Sequence, residues 1–263
     1  MEERERGEPI PRHFLIGILG PIGAGKTTLS RTLVEGWQAR QVAVKHLQEE
    51  YPENPHLANF YKDPPRHSLK SQLFFLHSKI EQLALTVGRG TLRESSYVVD
   101  PAKQMDWIYA RTHYEMGWMR TDEFELYQGM YQALGKEKKV PLPDIFIVVT
   151  APVNVLLQRI RKREGERPFE RGLLQYPWGE EYLTKLSEMV ERWYNQKLGE
   201  PSHPPIARID SGTVNFSFDQ DGREHLLEDI GHWIRYYFVD HPEYRTDSSP
   251  LIIPEAVLSY PRP

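Results

Sequence analysis

The chain has 263 residues, 33 basic and 37 acidic, for a net charge of −4 at neutral pH, which suits one α/β domain with appendages and gives no global drive toward nucleic acid. Cysteine is absent, which excludes disulfides and thiolate metal sites and suits a reducing compartment. No apolar run approaches the roughly 18 residues of a membrane span, and the charged start lacks the apolar core of a secretory signal, so the expected location is cytoplasmic, with no membrane and no nucleic-acid partner.

Residues 1–12 read as a disordered lead-in. Phe14 to Leu19 is an apolar run that predicts a buried strand. It runs into Gly20-Pro21-Ile22-Gly23-Ala24-Gly25-Lys26-Thr27-Thr28, which fits the phosphate-binding P-loop pattern G-x-x-x-x-G-K-[ST]. Leu29, Leu33 and Trp37 then recur at helical spacing. Strand, glycine-rich loop and helix are what the chemistry needs. Gly20, Gly23 and Gly25 let the backbone wrap a phosphate chain without Cβ clashes, and the helix start at Thr27 and Thr28 points unpaired N–H groups at it. Lys26 is expected to reach the β- and γ-phosphates and the Thr27 hydroxyl to hold Mg²⁺. The ligand expected here is ATP with Mg²⁺.

A second strand, 42–47, leads to Gln48-Glu49-Glu50. A carboxylate at Glu49 would take the proton of an acceptor hydroxyl as it attacks the γ-phosphate. An ordinary surface glutamate is the alternative, and Glu50 competes for the role. A polar loop follows over 51–57. Pro64 and Pro65 open a long helix with an apolar stripe of Leu69, Leu73, Leu76, Ile80, Leu83 and Val87. Gln72 lies at the margin of that stripe, where an amide either reads a base edge or faces solvent. His77, beside Leu76, reads as structural.

The third strand, 95–99, ends at Asp100. That acid either helps Thr27 hold the metal or caps the next helix, with Pro101 at its first position. Helices are expected over 103–116 and 122–138, the second capped by Asp122 with Glu125. Ile145 to Val149 is a fourth strand. The helix Val153 to Arg163 turns basic at its end, and Arg159, Arg161, Lys162, Arg163, Arg167 and Arg171 are interleaved with Glu164, Glu166 and Glu170. Alone this is a solvated helix end of mixed charge. Beside a P-loop it reads as an arginine lid for the phosphates. A helix over 180–196, a fifth strand at 206–210 and a last helix over 223–238 follow, then a proline-rich tail, 240–263. The aromatics Phe60, Tyr61, Phe74, Phe75, Trp107, Tyr109 and Trp118 read mostly as core, with one or two free to hold an aromatic ligand.

Strands alternating with helices predict an α/β P-loop NTPase fold: a five-stranded parallel sheet flanked by helices, domain limits 13–239 and an arginine-rich lid at about 159–171. The P-loop, Glu49 and Asp100 all lie at carboxyl ends of strands, where open α/β sheets bind ligands.

GPIGAGKTT, ENPHLANFYKDP after Glu49, SLKSQLFFLHSKIEQL, TDEFELYQGMYQAL, RIRKREGERPFE and EEYLTKLSEMVERWY occur in that order. From about residue 14 to 238 this set resembles the deoxynucleoside kinase family, especially its bacterial deoxyadenosine/deoxyguanosine branch. The resemblance implies ATP-dependent phosphorylation of the 5′-hydroxyl of a deoxynucleoside, a purine by preference, in nucleotide salvage by a homodimer. It implies that Glu49 is the general base, that Tyr61 and Glu170 hold the 3′-hydroxyl, that Gln72 reads the base with Asp106 orienting it, and that Arg159, Arg163 and Arg167 are the lid arginines. Two positions depart from the family. Asp100-Pro101-Ala102 stands where the family has Asp/Glu-Arg-Ser/Thr, and Lys79 stands where it usually has an arginine near the base. The first departure keeps open a nucleotide-binding pseudokinase acting as a regulatory subunit, or a kinase for a different small alcohol.

Overall fold

A computed structural model describes residues 12–49, 51–87, 92, 94–163, 165, 170, 172–200, 203–214, 220–244 and 251–258. A short strand β1 (Arg12–His13) precedes β2 (Leu15–Leu19), and β3 (Val44–Gln48), β4 (Ser96–Asp100), β5 (Ile145–Thr150) and β6 (Ile206–Asp210) complete a five-stranded parallel sheet in the order β3-β4-β2-β5-β6. The central strands are apolar because both faces are covered. On one face, α1 (Lys26–Ala39) and α9 (Gln220–Arg235) bury Leu29, Leu33, Trp37, Leu227 and Ile230. On the other, α4 (Gln104–Glu115) and α8 (Gly179–Leu198) bury Met105, Ile108, Leu186 and Val190. The helix α3 (Pro64–Thr86) packs beside α4 and α5 (Thr121–Glu137), α6 (Val153–Lys162) follows β5, and the short α7 (Gly172–Gln175) precedes α8. No helix among the described residues is long and apolar enough to cross a membrane.

The register places the site. Gln48 pairs with Asp100, and the Glu49 N–H donates to the Asp100 carbonyl at 3.0 Å. The ends of β3 and β4 therefore lie side by side, next to the P-loop that leaves β2.

Several local expectations are corrected. Between the end of the loop read over 51–57 and Pro64, a stretch given no element in the sequence, Leu57–Lys62 forms the helix α2, buried through Leu57, Phe60 and Tyr61. α4 starts at Gln104, so Asp100 does not cap it and Pro101 is not its first residue. At α5 it is Glu123, not Glu125, that accepts the cap N–H, from Arg120 at 2.9 Å. His77 is exposed rather than structural. The last helix ends at Arg235 and continues as a π turn, Tyr236–Asp240. Beyond it, β7 (Leu251–Ile252) pairs in parallel with β1, and α10 (Glu255–Leu258) buries Val257 against the α1–α9 core. The described part of 240–263 is packed onto the domain.

Candidate active site

The P-loop conformation follows from its glycines. Gly20 has φ +148°, and a Cβ there would lie 2.2 Å from the Val149 carbonyl oxygen. Gly25, at φ +97°, starts α1 and aims its first N–H groups into the cavity mouth. Lys26 Nζ donates to the carbonyls of Gly20 (2.8 Å) and Pro21 (3.0 Å). Burial pulls this amine down to about 8, with Asp100 opposing and Arg163 adding to the fall. Gly23, Gly25, Lys26, Thr27 and Thr28 line a cavity of about 1100 Å³ including its open mouth, while Gly20 and Ala24 support the loop from beneath.

Glu49 and Asp100 enter the same cavity from the adjacent ends of β3 and β4. Burial pushes the Asp100 carboxyl up, but His46, Lys26 and the Thr27 hydroxyl together hold it below the ordinary carboxylate range. A carboxylate and a hydroxyl side by side are hard oxygen donors of the kind Mg²⁺ takes, the rest of its shell being water and phosphate. Thr27 and Asp100 fit the ion.

The far end of the cavity is built by α3 and α4. The buried face of α3 carries Ser68, Ser71, Gln72, Leu76, Lys79 and Ile80. Gln72 is thus 4% exposed, a cavity-lining residue and not one at a solvent margin, and its Oε1 has no hydrogen-bond partner among the described residues. Asp106 faces it from α4, 2% exposed, its Oδ2 likewise unpartnered. Burial, and secondarily the Glu49 charge, push Asp106 up to about 8, while Lys79 and Lys103 pull it down. Tyr61 from α2, with Phe60, Phe75, Tyr109 and Tyr182, supplies the aromatic wall.

Lys79 is fully buried but does not line the cavity, lying behind Glu49 with Nζ 3.5 Å from Glu49 Oε1. Arg163 and Glu170 do line it, joined by a 2.7 Å bond from Nε to Oε2. Arg159 does not. Its guanidinium donates to Ser211 Oγ (2.8 Å) and the Ser211 carbonyl (2.6 Å), with longer bonds to the carbonyls of Gly23 and Ala24, so it braces the P-loop from outside. Arg167 lies outside the described residues. Tyr182 went unnoticed in the sequence, since nothing separates it from the other inward-facing residues of α8. So did the chain behind it, in which His113 Nδ1 meets Ser68 Oγ (2.7 Å) and Nε2 meets the Tyr182 hydroxyl (3.1 Å), with the imidazole stacked on Phe60 at 4.7 Å.

The deoxynucleoside kinase sequence profile matches residues 16–235. The chain belongs to the deoxynucleoside kinase family, a family of phosphotransferases. It is 30% identical to the deoxyguanosine kinase of Bacillus subtilis over 215 residues, covering 82% of this chain and 95% of that one. It is 26% identical to the deoxyadenosine/deoxycytidine kinase of the same organism over 223 residues, covering 84% and 93%. Among solved structures, deoxyadenosine kinase from M. mycoides with bound dCTP superposes with a TM-score of 0.63 at 24% identity, over 82% of this chain and 97% of that one. This last likeness concerns the fold, which is the five-stranded α/β sheet described above.

Proposed function

We propose that this kinase moves the γ-phosphoryl group of ATP-Mg²⁺ to the 5′-hydroxyl of a deoxynucleoside, a purine by preference. The observation that carries the reading is the single cavity that joins the P-loop, Glu49 and Asp100 at one end to Gln72 and Asp106 at the other. Transfer from a nucleotide to a nucleoside needs phosphate-binding and base-reading groups that share one cavity, and these residues do. The purine preference rests on the names of bacterial relatives, several of them deoxyguanosine kinases and one a deoxyadenosine/deoxycytidine kinase.

In this reading Glu49 accepts the 5′-hydroxyl proton as the oxygen attacks. Lys26, Arg163 and Arg167 neutralise the phosphoryl oxygens, and Arg159 keeps the P-loop in shape. Thr27 and Asp100 would hold Mg²⁺, which supplies charge neutralisation at the phosphates when bound. Tyr61 and Glu170 anchor the 3′-hydroxyl. Gln72 offers a donor and an acceptor to the base edge, and Asp106 adds a donor when protonated and an acceptor when ionised. The test is transfer from labelled ATP to the four deoxynucleosides and their ribo counterparts, with Glu49→Gln as the blank. Product with deoxyadenosine or deoxyguanosine, formed at least about 100-fold more slowly by the variant, supports the reading. ATP binding without transfer to any nucleoside favours the non-catalytic subunit instead.

A further inference from the structure

A general base at Glu49 needs a partner that keeps its carboxylate aimed, and the end of β4 brings no cation to do so. Pro101 and Ala102, which follow Asp100, are uncharged and buried. Lys103 points away, with Nζ 4.1 Å from the Tyr131 ring centroid. Arg66 is exposed near the start of α3 and is absent from the cavity wall. The cation comes from α3 instead. Lys79 Nζ lies 3.5 Å from Glu49 Oε1 with its side chain 1% exposed. Among the described residues neither atom makes a hydrogen bond. A buried ammonium is costly unless a charge faces it, and Glu49 is the carboxylate within ion-pair distance.

We propose that Lys79 is the positioning residue of the general base, holding the Glu49 carboxylate oriented toward the acceptor hydroxyl; this rests on the function proposed above. It differs from a base-reading role because Lys79 stands behind Glu49, outside the cavity wall that Gln72 and Asp106 form. The other titratable groups facing Glu49 are Lys26 from α1, Asp100 at the end of β4, Asp106 and Tyr109 from α4, and Arg163 and Glu170 beyond α6. Of the two cations, Lys26 is engaged with P-loop carbonyls and Arg163 with Glu170.

The test compares Lys79→Met and Lys79→Arg with the unaltered enzyme, using whichever deoxynucleoside it phosphorylates. Lys79→Met is expected to lower kcat by about 100-fold, as for a lost electrostatic group in a dry site, while the nucleoside KM stays within about three-fold. Lys79→Arg should restore most of the lost kcat. In a Glu49→Gln background Lys79→Met should have no further effect on kcat. A raised nucleoside KM at unchanged kcat, or an equal loss of kcat in the Glu49→Gln background, would overturn the proposal in favour of a base-reading or purely structural lysine. Should Lys79→Met not fold, Lys79→Gln is read by the same criteria. An unaltered enzyme that transfers to no deoxynucleoside overturns the functional reading as well, whereas normal transfer with unchanged Lys79→Met kinetics overturns this inference alone.

Discussion

Asp106 and His113, two turns apart on one face of α4, show how burial acts on single residues. It pushes Asp106 up to about 8 and His113 down to about 3, so each resists ionisation inside the fold. The two signs differ. Folded Asp106 keeps a proton that the unfolded chain releases near pH 4, so its contribution is present below pH 4 and is lost as pH rises to about 8. The slope is at most about 1.4 kcal/mol per pH unit. Folded His113 refuses a proton that the unfolded chain takes near pH 6.5, so its contribution is present above that value and is lost as pH falls toward 3. Between pH 4 and 6.5 the two slopes oppose each other, so denaturant unfolding of the ligand-free protein is expected to give a nearly level stability there and a fall from about pH 6.5 to 8, and Asp106→Asn should remove that fall and uncover the acid slope of His113. At the same scale, Glu49→Gln should lower kcat by about 100-fold or more while the calorimetric affinity for ATP changes less than about three-fold. Loss of ATP binding in that variant would give Glu49 a different task.

At the scale of elements, α3 and the loop before α2 set the shape of the nucleoside end. Asn54 Nδ2 donates to the Ser71 carbonyl (3.2 Å) and Ser71 Oγ (3.0 Å), and its Oδ1 accepts the His56 N–H. This ties the loop carrying Tyr51 and Leu57 to the helix carrying Gln72. Asn54→Ala leaves a buried carbonyl and a loop N–H without that partner, for a loss of about 1–3 kcal/mol. It should raise the nucleoside KM more than the ATP KM, measurable in two substrate titrations. The P-loop was readable from the sequence because glycine spacing, strand and helix agree locally. The buried face of α3 was not, because the cavity requires polar residues inside. Ser68, Ser71, Gln72 and Lys79 face inward while Leu69 and Leu73 pack only partly, against the α4–α5 side. An apolar-stripe rule therefore placed the helix correctly and rotated its functional face toward solvent. The bonds of Arg159 are equally invisible to sequence, since an arginine that braces a loop through Ser211 has the same signature as one aimed at phosphate.

Across the whole molecule, the sheet order brings the ends of β2, β3 and β4 together, while the last described segment closes the opposite flank. Leu251, Ile253, Val257 and Leu258 cover the α1–α9 core, and Arg235 donates to the Leu258 carbonyl at 3.2 Å. Nothing periodic marks so short a segment, and its pairing partner β1 lies more than 200 residues away, so local patterning could not anticipate the contact. Removing residues 245–263 exposes this apolar surface and is expected to cost about 2–5 kcal/mol, seen as a lower Tm, with kcat at 20 °C nearly unchanged because the site lies at the strand ends. A loss of kcat without a loss of Tm would place the segment in the chemistry instead.

If this chain is a kinase, it transfers phosphate with Asp100-Pro101-Ala102 at the end of β4. The most direct measurement is formation of labelled deoxynucleoside monophosphate from labelled ATP and Mg²⁺, with the eight nucleosides tested singly and Glu49→Gln alongside. Product is expected from one or two purine deoxynucleosides, formed at least about 100-fold more slowly by the variant. ATP binding with no product from any of the eight would contradict the proposed transfer.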